Sequence, residues 1–205
     1  MIRLTIFVEN TEYLTNNHLN VIKNKIRFTF EKSLLFSYKI WHMRVFKFGG
    51  ASVKDAAAIE NVGKIIETHN DEHLIVVVSA MGKTTNALER VMASFAENAM
   101  AKTAGLIAEV YDFHLNIIDA LFEDKAAIKS TVDGIFDDLK KRCAVPMEGD
   151  YDFHYDQIIS LGEVLSTKII AAYLQKVSFN CTWVDARTVV RTNDRWRESK
   201  VDWDE

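Results

Sequence analysis

With 205 residues, about half of them apolar and a quarter charged, the chain has the composition of a soluble globular protein of one to one and a half domains. A formal charge of -4 and a pI near 5.9 argue against nucleic acid as the main partner, because duplex binding needs clustered Lys and Arg. Cys143 and Cys181 stand far apart and outside any C-x-x-C spacing, so they read as buried thiols in a reducing, cytoplasmic setting. Neither a disulfide framework nor a zinc site fits them. No apolar run approaches the length that spans a bilayer, and no membrane partner is expected.

The chain changes character at Met43. Residues 1–42 hold no Ala, Gly, Asp or Pro and are rich in Ile, Leu, Phe, Asn and Lys, whereas all eight glycines follow Met43. The early stretch lacks the layout of a secretory signal, and its acids Glu9, Glu12 and Glu31 argue against a mitochondrial one. Residues 1–42 are therefore expected to be an extension, non-native or disordered, with Met43 as the biological start and 43–205 as the folded unit. Peptides from 1–42 in mass spectra of the natural protein would overturn that expectation.

From there the elements alternate. Val45 to Phe48 reads as a short strand, and Ser52, three residues before Asp55, reads as a capping-box-like helix start. Ala58, Ile59, Val62, Ile65 and Ile66 recur at helical spacing through residue 68. "HNDEH" reads as a turn, and "LIVVV" at 74–78 as a strand buried on both faces of a parallel sheet. Leu88, Val91, Met92 and Phe95 mark a second helix, and two more are predicted over 103–122 and 125–142. A loop follows around Pro146 and Gly149. A long apolar-faced helical segment then runs to Lys176, with a break near Gly162, and "FNCTWVDA" returns to strand. Strand–helix alternation predicts an α/β fold on a largely parallel sheet.

Two stretches offer phosphate chemistry. "VVVSAMGKTTN" at 76–86 ends like a P-loop, but G-x-x-x-x-G-K-[ST] needs glycine at 77, where Val77 stands inside the strand. That reading fails, although it leaves Ser79, Thr84, Thr85 and Asn86 just past the carboxyl end of a strand, where open α/β sheets bind ligands. "KFGGASV" at 47–53 puts a lysine in a strand ahead of two glycines and a helix start. Glycines admit a close backbone approach, the helix start offers free N–H groups, and an ammonium neutralises a phosphoryl group in transfer. On the short pattern alone, an ordinary turn with an exposed lysine is the favoured reading. Glu163 either faces solvent or points into a cleft to bind an amine, and Arg187 and Arg191 read as solvated. The histidines read as structural or solvated, with no metal site.

Together, "KFGGASV" at 47–53, "VVVSAMGKTTN" at 76–86, "SLGEVLSTKIIAAYL" at 160–174 and "WVDARTVVRTND" at 183–194 resemble the aspartate kinase family of the amino acid kinase superfamily, in the right order. The resemblance implies a three-layer α/β/α sandwich, here incomplete. It implies transfer of the ATP γ-phosphoryl group to the side-chain carboxylate of L-aspartate, with Mg2+ bridging the phosphates and no dedicated protein cage for it. By the same resemblance, Lys47 contacts the ATP phosphates and the group in flight, and Gly49, Gly50 and Ser52 line the phosphate loop. Ser79 and Thr85 hold the aspartate, and Glu163 binds its ammonium group. Ala51 stands where the family often has Thr or Ser. Only eleven residues follow Asp194, so the nucleotide-binding half and the regulatory domains are expected to be missing. The parent is expected to be a homo-oligomer, either monofunctional or fused to homoserine dehydrogenase. The isolated chain is expected to turn over little, or to act only as a binding or regulatory piece.

Overall fold

The structure is a computed structural model that describes residues 4–8, 43–69 and 73–203. The elements run β1 (Leu4–Val8), β2 (Met43–Phe48), a 3-10 turn (Gly50–Val53), α1 (Ala56–Glu67), β3 (His73–Val78), α2 (Thr84–Ala96), α3 (Met100–Leu121), α4 (Ala126–Cys143), α5 (Tyr151–Ile159), α6 (Leu161–Lys176), β4 (Cys181–Val184) and a last 3-10 turn (Ala186–Thr188). The sheet order is β2-β3-β1-β4. β2 and β3 pair in parallel, whereas β1 runs antiparallel to both β3 and β4, so β2, β3 and β4 share one direction. Of the expected amino-terminal extension only β1 belongs to the described residues; 1–3 and 9–42 lie outside them. The turn read at 69–73 also falls partly outside, on 70–72, while His73 already begins β3.

Alternation along the strands sorts the side chains. Phe48, Leu74, Val76 and Val78 are buried on one face. On the other, Ile75 and Val77 are half-buried, Lys47 is exposed and Val45 is 60 % exposed. The buried face meets the helices in one core that runs from Val53 and Ile59 through Leu88 and Phe136 to Ile170 and Leu174. α3 packs on α2 and α4, and α6 reaches β1, β3 and β4. Gly63 of α1 lets Tyr173 of α6 come close: a Cβ there would lie 3.1 Å from Tyr173 Cε1.

One boundary differs from the sequence expectation, and another is sharpened. The cap of α1 is Asp55 itself, whose carboxylate accepts from the Ala58 N–H at 2.8 Å, while Ser52 lies inside the preceding 3-10 turn. A capping box needs the hydroxyl residue at the cap position, and Ser52 lies three residues upstream of it, inside the extra turn. The break expected near Gly162 falls two residues earlier, at Ser160, which ends α5 by donating to Asp156 and begins α6 by accepting from Val164. The run Tyr151–Lys176 passes for a membrane span by length and composition, but 72 % of its most apolar window is buried inside the fold, the condition of a core helix.

His114 of α3 is fully buried between aromatic neighbours Phe113 and Phe136, with Nδ1 2.7 Å from the Val110 carbonyl. Burial pushes its pKa down to about 4. The unfolded chain takes up that proton near pH 6.5, so protonation favours unfolding and stability falls as pH drops from about 6.5 towards 4. Urea melts are expected to show about 2 kcal/mol less stability at pH 5 than at pH 7 from this residue. In His114→Phe that share of the pH slope disappears.

Candidate functional site

Two loops leave the carboxyl ends of the parallel strands β2 and β3 and are zipped together. The Ser79 N–H donates to the Phe48 carbonyl at 3.0 Å, and the Gly82 N–H donates to the Gly50 carbonyl at 3.0 Å. The close approach depends on glycine. A Cβ on Gly50 would lie 2.6 Å from the Ala80 carbonyl oxygen and 3.0 Å from that of Gly82, both backbone atoms that cannot swing aside. Gly82 itself has φ +52, in the left-handed region. The Ser52 N–H closes the first loop on the Gly49 carbonyl at 2.9 Å, and the Thr84 N–H closes the second on Met81 at 2.9 Å.

Gly49 differs from Gly50. Its backbone is extended (φ -75, ψ 168), and a Cβ on it would meet nothing within 4 Å. Packing does not require glycine at 49, so the open space beside it is free for a ligand to approach the backbone. Lys47 stands opposite Val77 in the ladder with an exposed side chain, and Ser52 is exposed on the same loop.

The first turn of α6 docks on the second loop. Gly162 permits this, since a Cβ there would lie 2.9 Å from Ala80 Cβ and 3.4 Å from Leu88 and Thr84. The next residue, Glu163, is 2 % exposed. The solvent-facing alternative for this carboxylate is thereby excluded. Three residues on, Ser166 Oγ donates to the Ser79 carbonyl at 2.8 Å. Thr167 Oγ1 donates to the Glu163 carbonyl at 2.8 Å and accepts from Trp183 Nε1 at 3.0 Å, which ties the turn to β4. Lys168 lies over the Trp183 ring at 3.5 Å. Thr85 sits half-buried in the first turn of α2, beside the buried Thr84.

The structure thus brings the Gly50 and Ser79 backbones together and docks the turn that carries Glu163 against Ala80 and Thr84, while Lys47 is exposed near the end of β2 and Gly49 and Ser52 belong to the loop that follows it. Sequence reasoning did not single out Ser166, Thr167 or Trp183 as supports. The i, i+3 spacing of Glu163 and Ser166, which puts both on one helix face, was the available signal. Arg187 is bound to Asp185 at 2.6 Å, as part of the last 3-10 turn. Burial pushes the thiols of Cys143 and Cys181 up to about 11, which leaves them unreactive. Among the described residues no group of three or more His, Cys, Asp or Glu gathers to hold a metal. One groove of about 250 Å³ lies against Trp183 between α4 and α6, and another of about 200 Å³ borders Lys83 and Thr84; neither is lined by Lys47, Ser79 or Glu163.

Residues 42–203 match the model of the amino acid kinase family. The chain belongs to that family. Within it, the chain is 33 % identical over 146 residues to aspartokinase 3, chloroplastic, of Arabidopsis thaliana, covering 69 % of this chain and 25 % of that one. It is 26 % identical over 156 residues to the bifunctional aspartokinase/homoserine dehydrogenase 2 of Escherichia coli, covering 76 % of this chain and 19 % of the relative. The fold resembles that of E. coli aspartokinase III, solved in complex with aspartate and ADP. The TM-score is 0.66 at 24 % identity, over 78 % of this chain and 35 % of that one. This amino acid kinase chain therefore spans about a quarter or less of the length of these curated relatives.

The two neighbouring glycines are expected to respond oppositely to alanine. Gly50→Ala is expected to cost about 1–3 kcal/mol in a denaturant melt, because its Cβ meets backbone oxygen. Gly49→Ala is expected to stay within about 1 kcal/mol of wild type or to gain slightly, since its conformation suits alanine.

Proposed function

We propose that this chain supplies the phosphate loop and the amino-acid pocket of an aspartate kinase, which moves the γ-phosphoryl group of ATP to the side-chain carboxylate of L-aspartate to give 4-phospho-L-aspartate. That product opens the route to lysine, threonine and methionine. The observation that supports the reading is the zipper between the 49–53 and 79–83 loops, which joins the loop that follows Lys47 to the loop that carries Ser79, against which the turn bearing the buried Glu163 docks.

In this reading the open backbone at Gly49, with Gly50 and Ser52 beside it, receives the β- and γ-phosphates. The Lys47 ammonium neutralises charge as a carboxylate oxygen of aspartate attacks phosphorus and the bond to the ADP oxygen breaks. Ser79 and Thr85 hydroxyls orient the substrate, and Glu163, shielded from water, pairs with its ammonium group, where low dielectric strengthens the attraction. Positioning of this kind accounts for most of such a transfer. The described residues gather no carboxylate set for Mg2+, so the ion does not fit a protein cage here and would travel on the nucleotide phosphates. A second reading, a kinase fused to homoserine dehydrogenase, is favoured by the bifunctional E. coli relative.

Calorimetric titration of the 205-residue chain with L-aspartate and with ATP tests the proposal. Glu163→Gln is expected to weaken aspartate at least tenfold and leave ATP within twofold. Lys47→Ala and Gly49→Ala are expected to do the reverse. An aspartate-dependent ADP-release assay is expected to find little or no turnover by the isolated chain. Equal aspartate affinity in wild type and Glu163→Gln would refute the assignment of the pocket.

A further inference from the structure

We propose that Ser166 is a positioning residue that sets the preference of the pocket for a four-carbon over a five-carbon amino diacid. The inference rests on the aspartate reading of Ser79 and Glu163.

Ser166 is fully buried in α6. A buried hydroxyl must find a partner, and in a helix the usual one is the carbonyl four residues back. Thr167 follows that habit on Glu163. Ser166 instead crosses to the end of β3, to a carbonyl 87 residues away in sequence. An alanine would fill the space nearly as well, so what the hydroxyl adds is alignment.

Its acceptor is the peptide of a proposed ligand residue. That residue's N–H is already held by the Phe48 carbonyl, so the Ser166 bond secures its other side. The donor, in turn, sits one helical turn from Glu163, and that turn is locked in place: Thr167 and Trp183 hold it from β4, and Gly162 seats it on Ala80. Ser166 is thus a direct strut between the element that carries the hydroxyl and the element that carries the carboxylate. L-aspartate and L-glutamate differ by one methylene, a difference that a soft pocket separates only weakly. A fixed gap between the group that takes the ammonium and the group that orients the far end acts as a ruler. Loosening the strut should blur the ruler before it unfolds the protein.

The full 205-residue chain and its Ser166→Ala variant are titrated with L-aspartate and L-glutamate at 10 °C, with backbone amide spectra recorded on both. Expected are an aspartate affinity about tenfold lower in the variant, an aspartate-over-glutamate preference reduced at least fivefold, and a shifted Ala80 amide nitrogen in the ligand-free spectrum. Ser166→Cys, close in volume and a weaker donor, carries the same expectation if the alanine variant does not fold. A folded variant with the wild-type preference overturns the positioning role and leaves the aspartate reading standing. A wild-type chain that binds no aspartate overturns that reading, and this inference with it.

Discussion

The corner where β2 and β3 end is held by backbone atoms at van der Waals contact, and the site depends on that contact. Only hydrogen fits on Gly50 between the Ala80 and Gly82 carbonyls. The contact allows the Gly82–Gly50 and Ser79–Phe48 bonds to form together, so the two loops leave the sheet as one unit. Each loop alone would be an ordinary turn. Joined, they are held at a separation set by backbone hydrogen bonds and backbone contact rather than by flexible side chains.

α6 supplies the second half of the corner through burial. Eleven of its sixteen residues are buried, and the aliphatic ones, such as Ile169, Ile170 and Leu174, each contribute ~1.5–3 kcal/mol of apolar burial. That packing opposes the penalty of placing Glu163 in the same environment. Polar links then orient the helix: Ser166 to Ser79, and Trp183 through Thr167 to the Glu163 peptide. Apolar area keeps the helix inside, and hydrogen bonds set its rotation and height.

This division explains what the sequence disclosed. Strand–helix alternation was legible because the continuous apolar run at 74–78 and the helical stripe at 58–66 are both long enough to mark an element, although β3 buries only Leu74, Val76 and Val78 fully and leaves Ile75 and Val77 half-buried, not buried on both faces. α6 was not legible in the same way: a helix buried nearly all round has no polar face against which to judge a lone acid, so spacing left Glu163 undecided. The motif blocks supplied the family, but the supports Ser166 and Trp183 act across 87 and 16 residues of sequence, separations that no local pattern reports. Gly162 was visible as a glycine in a helix and suggested a break. In the fold it serves a close approach, and the break belongs to Ser160.

The alternation in β2 also works as an error check. Lys47 and Phe48 are consecutive, one outward and one buried, opposite Val77 and Val78. A slip of β2 by one residue would turn the ammonium into the core and the phenyl ring into water. Both faults penalise the same mispairing, one by burying a charge and the other by exposing an aromatic ring. The chain therefore has little access to a folded state in which the sheet is intact and the lysine is misdirected. Correct folding of this edge and correct aim of its cation are a single event.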